Sequence, residues 1–257
     1  MTTTLDITLS APVNLRDLGG TPIAGGTLRD GLAIRADDLS VITEADAREL
    51  TAGGLASVID LRTADEVALT GRGPLATHAV SYHHLPLMGS VGGGLPTADE
   101  HESAHAGMGE MYALMVETAA PQLAAALGII GVSPGATAFH CAAGRDRTGV
   151  LAAMLLLALG AADDDIVRDY AKTDANMGAI LTRIGPTMSV LLAKFGMDLE
   201  EVSKLNGSLL DGAEPMDVSM RILLARLRER HGDPLAPLRA AGLTDATVAQ
   251  LQAKALA

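Results

Sequence analysis

One ten-residue segment, residues 140–149, constrains the fold more than any other part of the chain. It reads HCAAGRDRTG; the stretch leading into it (ATAFH, 136–140) is typical of a short apolar strand, and residues 150–159 after it are all apolar. A strand, a tight glycine-containing loop and a helix N-terminus together favour anion binding, because backbone N–H groups and the helix dipole both attract negative charge. The sequence therefore predicts an anion loop at the carboxyl end of a buried strand.

The same loop carries a nucleophile and a cation. Cys141 is the only cysteine among 257 residues, and Arg147 follows it six positions later. A helix N-terminus stabilises the thiolate form of a nearby cysteine, which is the reactive form. The planar guanidinium of Arg147 can hold two oxygens of a phosphate at once. A nucleophile and an oxyanion receptor on one loop indicate phosphoryl transfer through a cysteinyl-phosphate.

Several segments together resemble cysteine-dependent phosphatases of the protein-tyrosine and dual-specificity type. They are NLRDLGG (14–20), IRADDLS (34–40), VIDLR (58–62), HCAAGRDRTG (140–149) and DYAKT (169–173). In order and spacing they are similar to the bacterial tyrosine and triple-specificity phosphatases, and the loop is also similar to the HCxxGKxR loop of lipid phosphatases. After residue 173 the chain resembles this family only in being helical.

The order of the segments and the resemblance both imply an α/β fold with a central, mostly parallel sheet flanked by helices. We expect one phosphatase domain over residues 1–257. The glycine-rich segment and the helix after it, residues 88–118, look like the lid of the family, and residues 162–257 are expected to form a helical C-terminal part. A helix over about 111–127 is expected to break at Pro121.

The resemblance also implies a role for each residue of the loop. Cys141 attacks phosphorus, and Arg147 with the amides of residues 142–147 holds the equatorial oxygens. Thr148 donates a hydrogen bond to the sulfur, and His140 holds the loop. The loop positions assigned to phosphate binding are Ala142, Ala143, Gly144, Arg145 and Thr148. Arg145 stands where lipid-active members have lysine, which leaves phosphoinositide activity open.

The general acid has three candidate locations. A leaving phenolate or alkoxide needs a proton, which an aspartate usually supplies in the tyrosine phosphatases. Asp146 lies inside the anion loop, where the resembling bacterial enzymes also carry an aspartate, and it is preferred. Asp60 ends a strand near the site and is the second candidate, either as proton donor or as the group that orients Arg147. The third candidates are the acids of the lid segment, Asp99, Glu100 and Glu102.

Other interpretations of the loop stay open at this point. A lone cysteine is often a small buried apolar residue, and rhodanese sulfurtransferases also place a cysteine on a strand-to-helix anion loop. A phosphatase-like module that binds phosphoproteins without turnover is a further alternative. The presence of Arg147 and of the separate NLRDLGG segment favours the phosphatase, whose expected substrate is phosphotyrosine, with phosphoserine, phosphothreonine or a phospholipid headgroup as alternatives.

The segment HESAH at 101–105 matches the HExxH pattern of zinc proteases. Such a site needs both histidines on one face of a firm helix and a third ligand downstream. Glycines flank this segment at 92–94 and at 107, and nothing selects a third ligand. The sequence therefore predicts no metal and no other cofactor.

The charge and the hydropathy of the chain limit the kinds of partner and the location that we expect for the protein. With 31 acidic and 19 basic residues, the formal net charge is −12, which argues against nucleic acid as a partner. The uncharged run at 149–162 is too short to span a membrane. One cysteine gives no internal disulfide, and the first residues show no secretory signal, so a cytoplasmic location is expected, with export without a signal peptide as the alternative. The sequence indicates no particular oligomeric state.

Overall fold

A mostly parallel sheet forms the centre of the fold. The computed structural model describes residues 8–90, 103–194 and 215–256. In chain order its strands are β1 (Arg16–Asp17), β2 (Pro22–Ile23), β3 (Gly26–Thr27), β4 (Ala33–Ala36), β5 (Leu55–Asp60), β6 (Ser81–His84) and β7 (Ala136–His140). Within these residues, five strands form one sheet in the order β1-β4-β7-β5-β6, with only β1 antiparallel to its neighbour, and β2 pairs with β3.

Helices surround this sheet. They are α1 (Glu44–Ala52), α2 (Ala64–Thr70), α3 (Ala104–Thr118), α4 (Ala120–Val132), α5 (Asp146–Ala158), α6 (Asp163–Ala171), α7 (Met177–Lys194), α8 (Asp217–His231), α9 (Ala236–Ala240) and α10 (Asp245–Leu256). The expected α/β architecture with a helical C-terminal part is confirmed over the described residues.

Strand β7 lies in the middle of the sheet because it can be buried on every side. All five of its residues are buried, and β4 and β5 pair with it in parallel on either edge. The register places Ala36 and Asp60 opposite His140. The carboxyl ends of three strands therefore meet at one edge of the sheet, where the chain leaves β7 and enters the anion loop.

Helix α5 extends the loop into the core. Nearly all of its side chains are buried, as expected for a helix that is apolar all round. The core around it is built mainly from alanine, leucine, isoleucine, valine and methionine, with Phe139, Tyr112 and Tyr170 as the buried aromatic residues among those described. The N-terminus of α5 is thus held rigidly against the end of β7.

The region expected to form a lid differs from that prediction. Residues 91–102, which include Asp99, Glu100 and Glu102, lie outside the described residues. The part that is described, α3, lies in the core, where it packs against α8 and buries Met108, Met111 and Met115. Apolar positions on several faces of α3 give it neighbours on several sides, so it cannot act as a cover. The break at Pro121 is confirmed: α3 and α4 meet there at 76°.

Among the described residues, no single helix combines the length and the hydropathy needed to cross a membrane. Only α3 and α4 taken together satisfy both criteria, and they form a sharply bent pair. Most residues of this pair are buried in the core.

Candidate active site

The anion loop starts at Cys141, which directly follows β7. The thiol is 1% exposed, and its Sγ accepts a hydrogen bond from the amide of Gly144 at 3.3 Å. Gly144 has a φ of +68°, and a Cβ at this position would lie 2.6 Å from the carbonyl oxygen of Ala36. A glycine is therefore required at Gly144, both for the backbone conformation and for the close approach to β4.

Carbonyl groups of the loop are bonded on its outer side. Asn14 Nδ2 donates to Ala143 O at 3.3 Å and to Gly144 O at 3.2 Å, and Arg35 also donates to Gly144 O at 2.8 Å. The amide of Asp38 donates to Ala142 O at 3.0 Å. In a planar trans peptide the N–H points away from the C=O. Fixing these carbonyls outward therefore directs the following amides inward, as the bond to the sulfur illustrates.

A buried ion network holds these outer groups in place. Asp169 on α6 accepts from Arg16 Nε at 2.9 Å and from Arg35 Nη1 at 2.6 Å. Arg16 in turn donates to Asn14 Oδ1 at 2.6 Å. Burial would raise the pKa of Asp169, but the two guanidinium groups outweigh it and lower the pKa below its usual range. The NLRDLGG and DYAKT segments thus meet behind the loop and fix its shape.

Asp17, in the NLRDLGG segment, bonds to backbone groups. Its carboxylate accepts hydrogen bonds from the amides of Gly19 and Gly31, each at 2.7 Å. Asp17 therefore shapes a turn beside β1 and does not contribute to the ion network.

Arg147 is held by a residue that the sequence analysis did not single out. Its guanidinium donates to Glu66 Oε2 at 2.6 Å and to Glu66 Oε1 at 3.0 Å. Glu66 is 3% exposed and also closes the capping box of α2 with Thr63. The one available signal was this Thr-x-x-Glu pattern, which predicts a helix start but not the partner of an arginine.

Asp60 does not take the role proposed from the sequence. Its carboxylate pairs with Arg62, with Oδ2 2.6 Å from Arg62 Nη2, and it also accepts from the hydroxyl of Tyr82 at 2.8 Å. Burial would raise the pKa of Asp60, but His140, once it is protonated at acid pH, and Arg62 outweigh it and lower the pKa. A fully buried, ionised carboxylate is a poor proton donor, and Glu66 rather than Asp60 orients Arg147. Asp60 therefore supports the strand end.

His140 supports the loop as a neutral ring. Burial lowers its pKa, so the ring carries no charge near neutral pH. Its Nδ1 accepts a hydrogen bond from the amide of Leu39 at 3.3 Å, and its Nε2 lies 3.7 Å from Asp60 Oδ2. This placement fits the expected role of holding the loop.

Asp146 is the carboxylate of the loop that remains accessible. Its side chain is 28% exposed, and Oδ1 accepts a hydrogen bond from the hydroxyl of Tyr112. Arg145 Nε lies 3.7 Å from the same oxygen. The structure thus places Asp146 at the first turn of α5, partly open to solvent and bonded through one carboxylate oxygen.

Two polar groups of the loop keep unused hydrogen-bonding capacity. Arg145 Nη2 and Thr148 Oγ1 are buried and have no partner among the described residues. The bond expected from Thr148 to the sulfur is therefore not formed in this structure. Buried donors without partners are costly, and a phosphate seated on the loop would supply acceptors for them.

A small pocket lies between the loop and α7. Ala142 of the loop lines it together with Ile184, Met188 and Leu191 of α7, and charged side chains complete the lining: Asp38, Arg62, Glu66 and Arg183. Helix α7 is tied down by Arg183, which pairs with buried Asp37 at 2.6 Å, and its end contacts α2. Within the described residues, α7 thus shares this pocket with the loop.

Comparisons with known proteins identify the family of the chain. Residues 7–257 match the sequence model of the tyrosine phosphatase family. The chain belongs to this family. It is 35% identical over 139 residues to a tyrosine-protein phosphatase of Nostoc commune, which covers 54% of this chain and 47% of that protein. It is 27% identical over 270 residues to the triple specificity protein phosphatase PtpB of Mycobacterium tuberculosis, covering 93% and 95% of the two chains.

The chain thus spans about half the length of the Nostoc phosphatase and nearly all of the mycobacterial one. Among solved structures, TpbA of P. aeruginosa in complex with pTyr matches 75% of this chain and 84% of its own, at 14% identity and a TM-score of 0.28. Membership of the tyrosine phosphatase family, expected from the sequence segments, is confirmed.

The described part of the HESAH segment lies apart from the anion loop. His101 and Glu102 lie outside the described residues. His105 is buried in α3, with Nδ1 3.0 Å from Ser219 Oγ. In the ranges that the structure describes, no group of three or more histidine, cysteine or acidic side chains could hold a metal ion.

Buried carboxylates make the stability of the protein dependent on pH. The pKa values of Asp60, Glu66 and Asp169 are all lowered in the folded state, because arginine neighbours and, for Asp60, His140 outweigh burial. Their contribution is complete above the unfolded values of about 4 and is lost as the pH falls through the lower folded values. We expect the free energy of unfolding, measured with urea, to fall from about pH 5 downward. Stability that stays constant down to about pH 3 would contradict this role.

Proposed function

We propose that the protein is a cysteine-dependent phosphatase that hydrolyses phosphotyrosine through a cysteinyl-phosphate. The observation that carries the proposal is one loop on which Cys141, inward amides and an arginine clamped by Glu66 converge. This arrangement supplies a nucleophile and preorganised donors for three phosphate oxygens, so little reorganisation is needed during the reaction.

In the first step the thiolate of Cys141 attacks phosphorus. The S–P bond forms while the bond from phosphorus to the leaving oxygen breaks, and Asp146 gives its proton to that oxygen. Arg147 and the loop amides hold the equatorial oxygens as their charge redistributes. In the second step water attacks phosphorus, Asp146 takes a proton from this water, and the sulfur leaves as thiolate. The net reaction converts a phosphate monoester and water into an alcohol and inorganic phosphate.

Asp146 is the acid that its position supports best. It is on the loop itself, and its side chain is partly exposed, whereas the carboxylates of Asp60 and Glu66 are buried in ion pairs. A general acid must reach the leaving oxygen on the outer side of the phosphate. Of these three carboxylates, only Asp146 is both near the loop and open towards solvent.

The relatives favour an aryl ester as the substrate. Two of them are named tyrosine-protein phosphatase and triple specificity protein phosphatase. Phosphotyrosine in proteins is therefore the proposed substrate. Phosphoserine, phosphothreonine and phosphoinositide are further substrates to be measured, since Arg145 preserves a cation where lipid-active members have lysine.

A substrate comparison tests this proposal. Inorganic phosphate released from a phosphotyrosyl peptide, a phosphoseryl peptide and a dispersed phosphoinositide is measured with the purified protein, and thiocyanate formation from thiosulfate and cyanide serves as the sulfurtransferase assay. We expect the highest kcat/KM for the phosphotyrosyl peptide and no thiocyanate. Release of phosphate from none of the three esters, or formation of thiocyanate alone, would overturn the proposed function.

A further inference from the structure

A chain of buried hydrogen bonds leads to Asp146 from the interior. Tyr112 on α3 bonds to Asp146 Oδ1 through its hydroxyl, and the hydroxyl oxygens of Tyr112 and Tyr170 are 2.8 Å apart. Arg145 Nε donates to the hydroxyl of Tyr170 at 3.4 Å. Both tyrosines are almost fully buried, so water does not compete for these bonds. The hydroxyls of Tyr170 on α6 and Tyr112 on α3 thus link the side chains of Arg145 and Asp146, which are neighbours on the loop.

The direction of every bond in this chain is fixed by chemistry. A guanidinium can only donate, so the oxygen of Tyr170 accepts from Arg145 and its single hydrogen is left for Tyr112. Tyr112 then donates its own hydrogen to Asp146. Burial, followed by the charge of Asp146, raises the pKa of Tyr112 well above its usual value, so this hydroxyl keeps its proton. Three bonds aligned in one direction polarise one another, and all of them stabilise negative charge on Oδ1.

We propose that Tyr112 is a positioning residue for proton transfer by Asp146, and that Tyr170 and Arg145 orient its hydroxyl. The inference rests on the proposed function, in which Asp146 protonates the leaving oxygen. With Oδ1 held by Tyr112, Oδ2 is the oxygen that carries the proton. As the proton departs, charge grows on the carboxylate and the bond from Tyr112 becomes stronger, which favours the transition state over the ground state.

The groups around Asp146 set the sign of the pH effect. Tyr112 faces it from α3 and Tyr170 from α6, while Arg145 and Arg147 face it from its own loop. Replacing Tyr112 by phenylalanine removes a donor to the carboxylate form and leaves both cations. Loss of a hydrogen bond that favours the carboxylate form should move the basic limb of the pH profile upward. A residue that served only to pack the core would not move this limb.

The test compares Tyr112→Phe with Tyr82→Phe, and measures kcat/KM from acid to alkaline pH with phenyl phosphate and p-nitrophenyl phosphate. Phenol is the poorer leaving group and depends more on the proton. For Tyr112→Phe we expect a loss of about tenfold or more with phenyl phosphate, a loss of about threefold or less with p-nitrophenyl phosphate, and an upward shift of the basic limb. Tyr82 is the matched control, because its hydroxyl also donates to a carboxylate, that of Asp60.

Further variants separate this inference from the proposed function. Asp146→Asn should show a larger loss with phenyl phosphate, and adding Tyr112→Phe to it should cost nothing more, because the two residues act on one proton. Tyr170→Phe should change the same two readouts as Tyr112→Phe to a smaller extent, which provides a second readout if Tyr112→Phe unfolds.

Each contrary result has a distinct meaning. If Tyr112→Phe and Tyr170→Phe behave like Tyr82→Phe, or if the effects of Tyr112→Phe and Asp146→Asn simply add, the positioning role is overturned while the phosphatase activity stands. Equal losses on both esters in Asp146→Asn would overturn the assignment of the acid, and this inference with it. Phosphatase activity that persists without the thiol of Cys141 would overturn the proposed function itself.

Discussion

Replacing Cys141 by serine should lower kcat/KM for aryl phosphates by about 10⁴-fold or more. A serine hydroxyl stays protonated at neutral pH, whereas the loop amide of Gly144 and the N-terminus of α5 stabilise a thiolate. Because one atom is exchanged for a smaller one, the loop and its contacts should remain. The measurement is initial-rate hydrolysis of p-nitrophenyl phosphate, together with thermal unfolding of both proteins.

Binding provides the control for this variant. Phosphate or a phosphotyrosyl peptide should still bind to Cys141→Ser, since Arg147 and the amides are unchanged, and a bound phosphopeptide should accumulate without turnover. Rates within about tenfold of the original protein would show that another group attacks phosphorus and would refute the cysteinyl-phosphate.

Replacing Glu66 by glutamine should weaken both the fold and the reaction. Glu66 and Arg147 form a bidentate buried pair, and removing the charge of one partner leaves the other unpaired. Breaking such pairs typically costs about 3–5 kcal/mol; glutamine keeps one acceptor, so we expect about 2–4 kcal/mol of the free energy of unfolding. Arg147 also loses its fixed orientation, and kcat/KM should fall by about 10–100-fold.

The neighbouring acid on the same helix is the matched control. Asp65 pairs with Lys194 at 2.7 Å, but this pair is largely exposed. Exposed ion pairs contribute about 0–1 kcal/mol, so Asp65→Asn should leave stability and kcat/KM nearly unchanged. Urea unfolding and steady-state kinetics of the two variants provide the comparison. Equal, small effects of both substitutions would show that Arg147 does not depend on Glu66.

The loop and its flanking elements could be predicted because they are local. A strand, the loop residues and a helix follow one another within 23 positions, from the start of β7 to the end of α5. Each of the two flanking elements has a clear apolar pattern of its own, and the glycine at Gly144 fits the turn that the loop requires. The positions of Cys141 and Arg147 could therefore be predicted without knowledge of contacts between distant parts of the sequence.

The partners of the loop could not be predicted in the same way. Glu66 meets Arg147 across 81 positions, and its pattern in the sequence only indicated a helix start. Asp60 was expected near the site because it ends a parallel strand, and it does lie there. Its carboxylate nevertheless turns to Arg62, two positions further on, because a buried charge must be neutralised by the nearest cation.

The incorrect prediction of a lid at α3 has a physical reason as well. The glycine-rich sequence and the helix after it resembled the lid of the family. Methionine and apolar residues at helical spacing fit a core helix equally well, and only the partner decides between the two. That partner is α8, a helix more than 100 positions away in the sequence, which no local pattern could have indicated.

The ion network behind the loop also determines the smallest fragment of this chain that could be active on its own. The sequence signature ends at residue 149, but Arg16 reaches its carboxylate, Asp169, across 153 positions. A fragment that ends with α5 would keep every residue of the signature. It would leave two guanidinium groups, that of half-buried Arg16 on β1 and that of buried Arg35 on β4, without their shared anion. Truncation limits therefore have to be drawn after α6, by charge balance and not by the end of the motif.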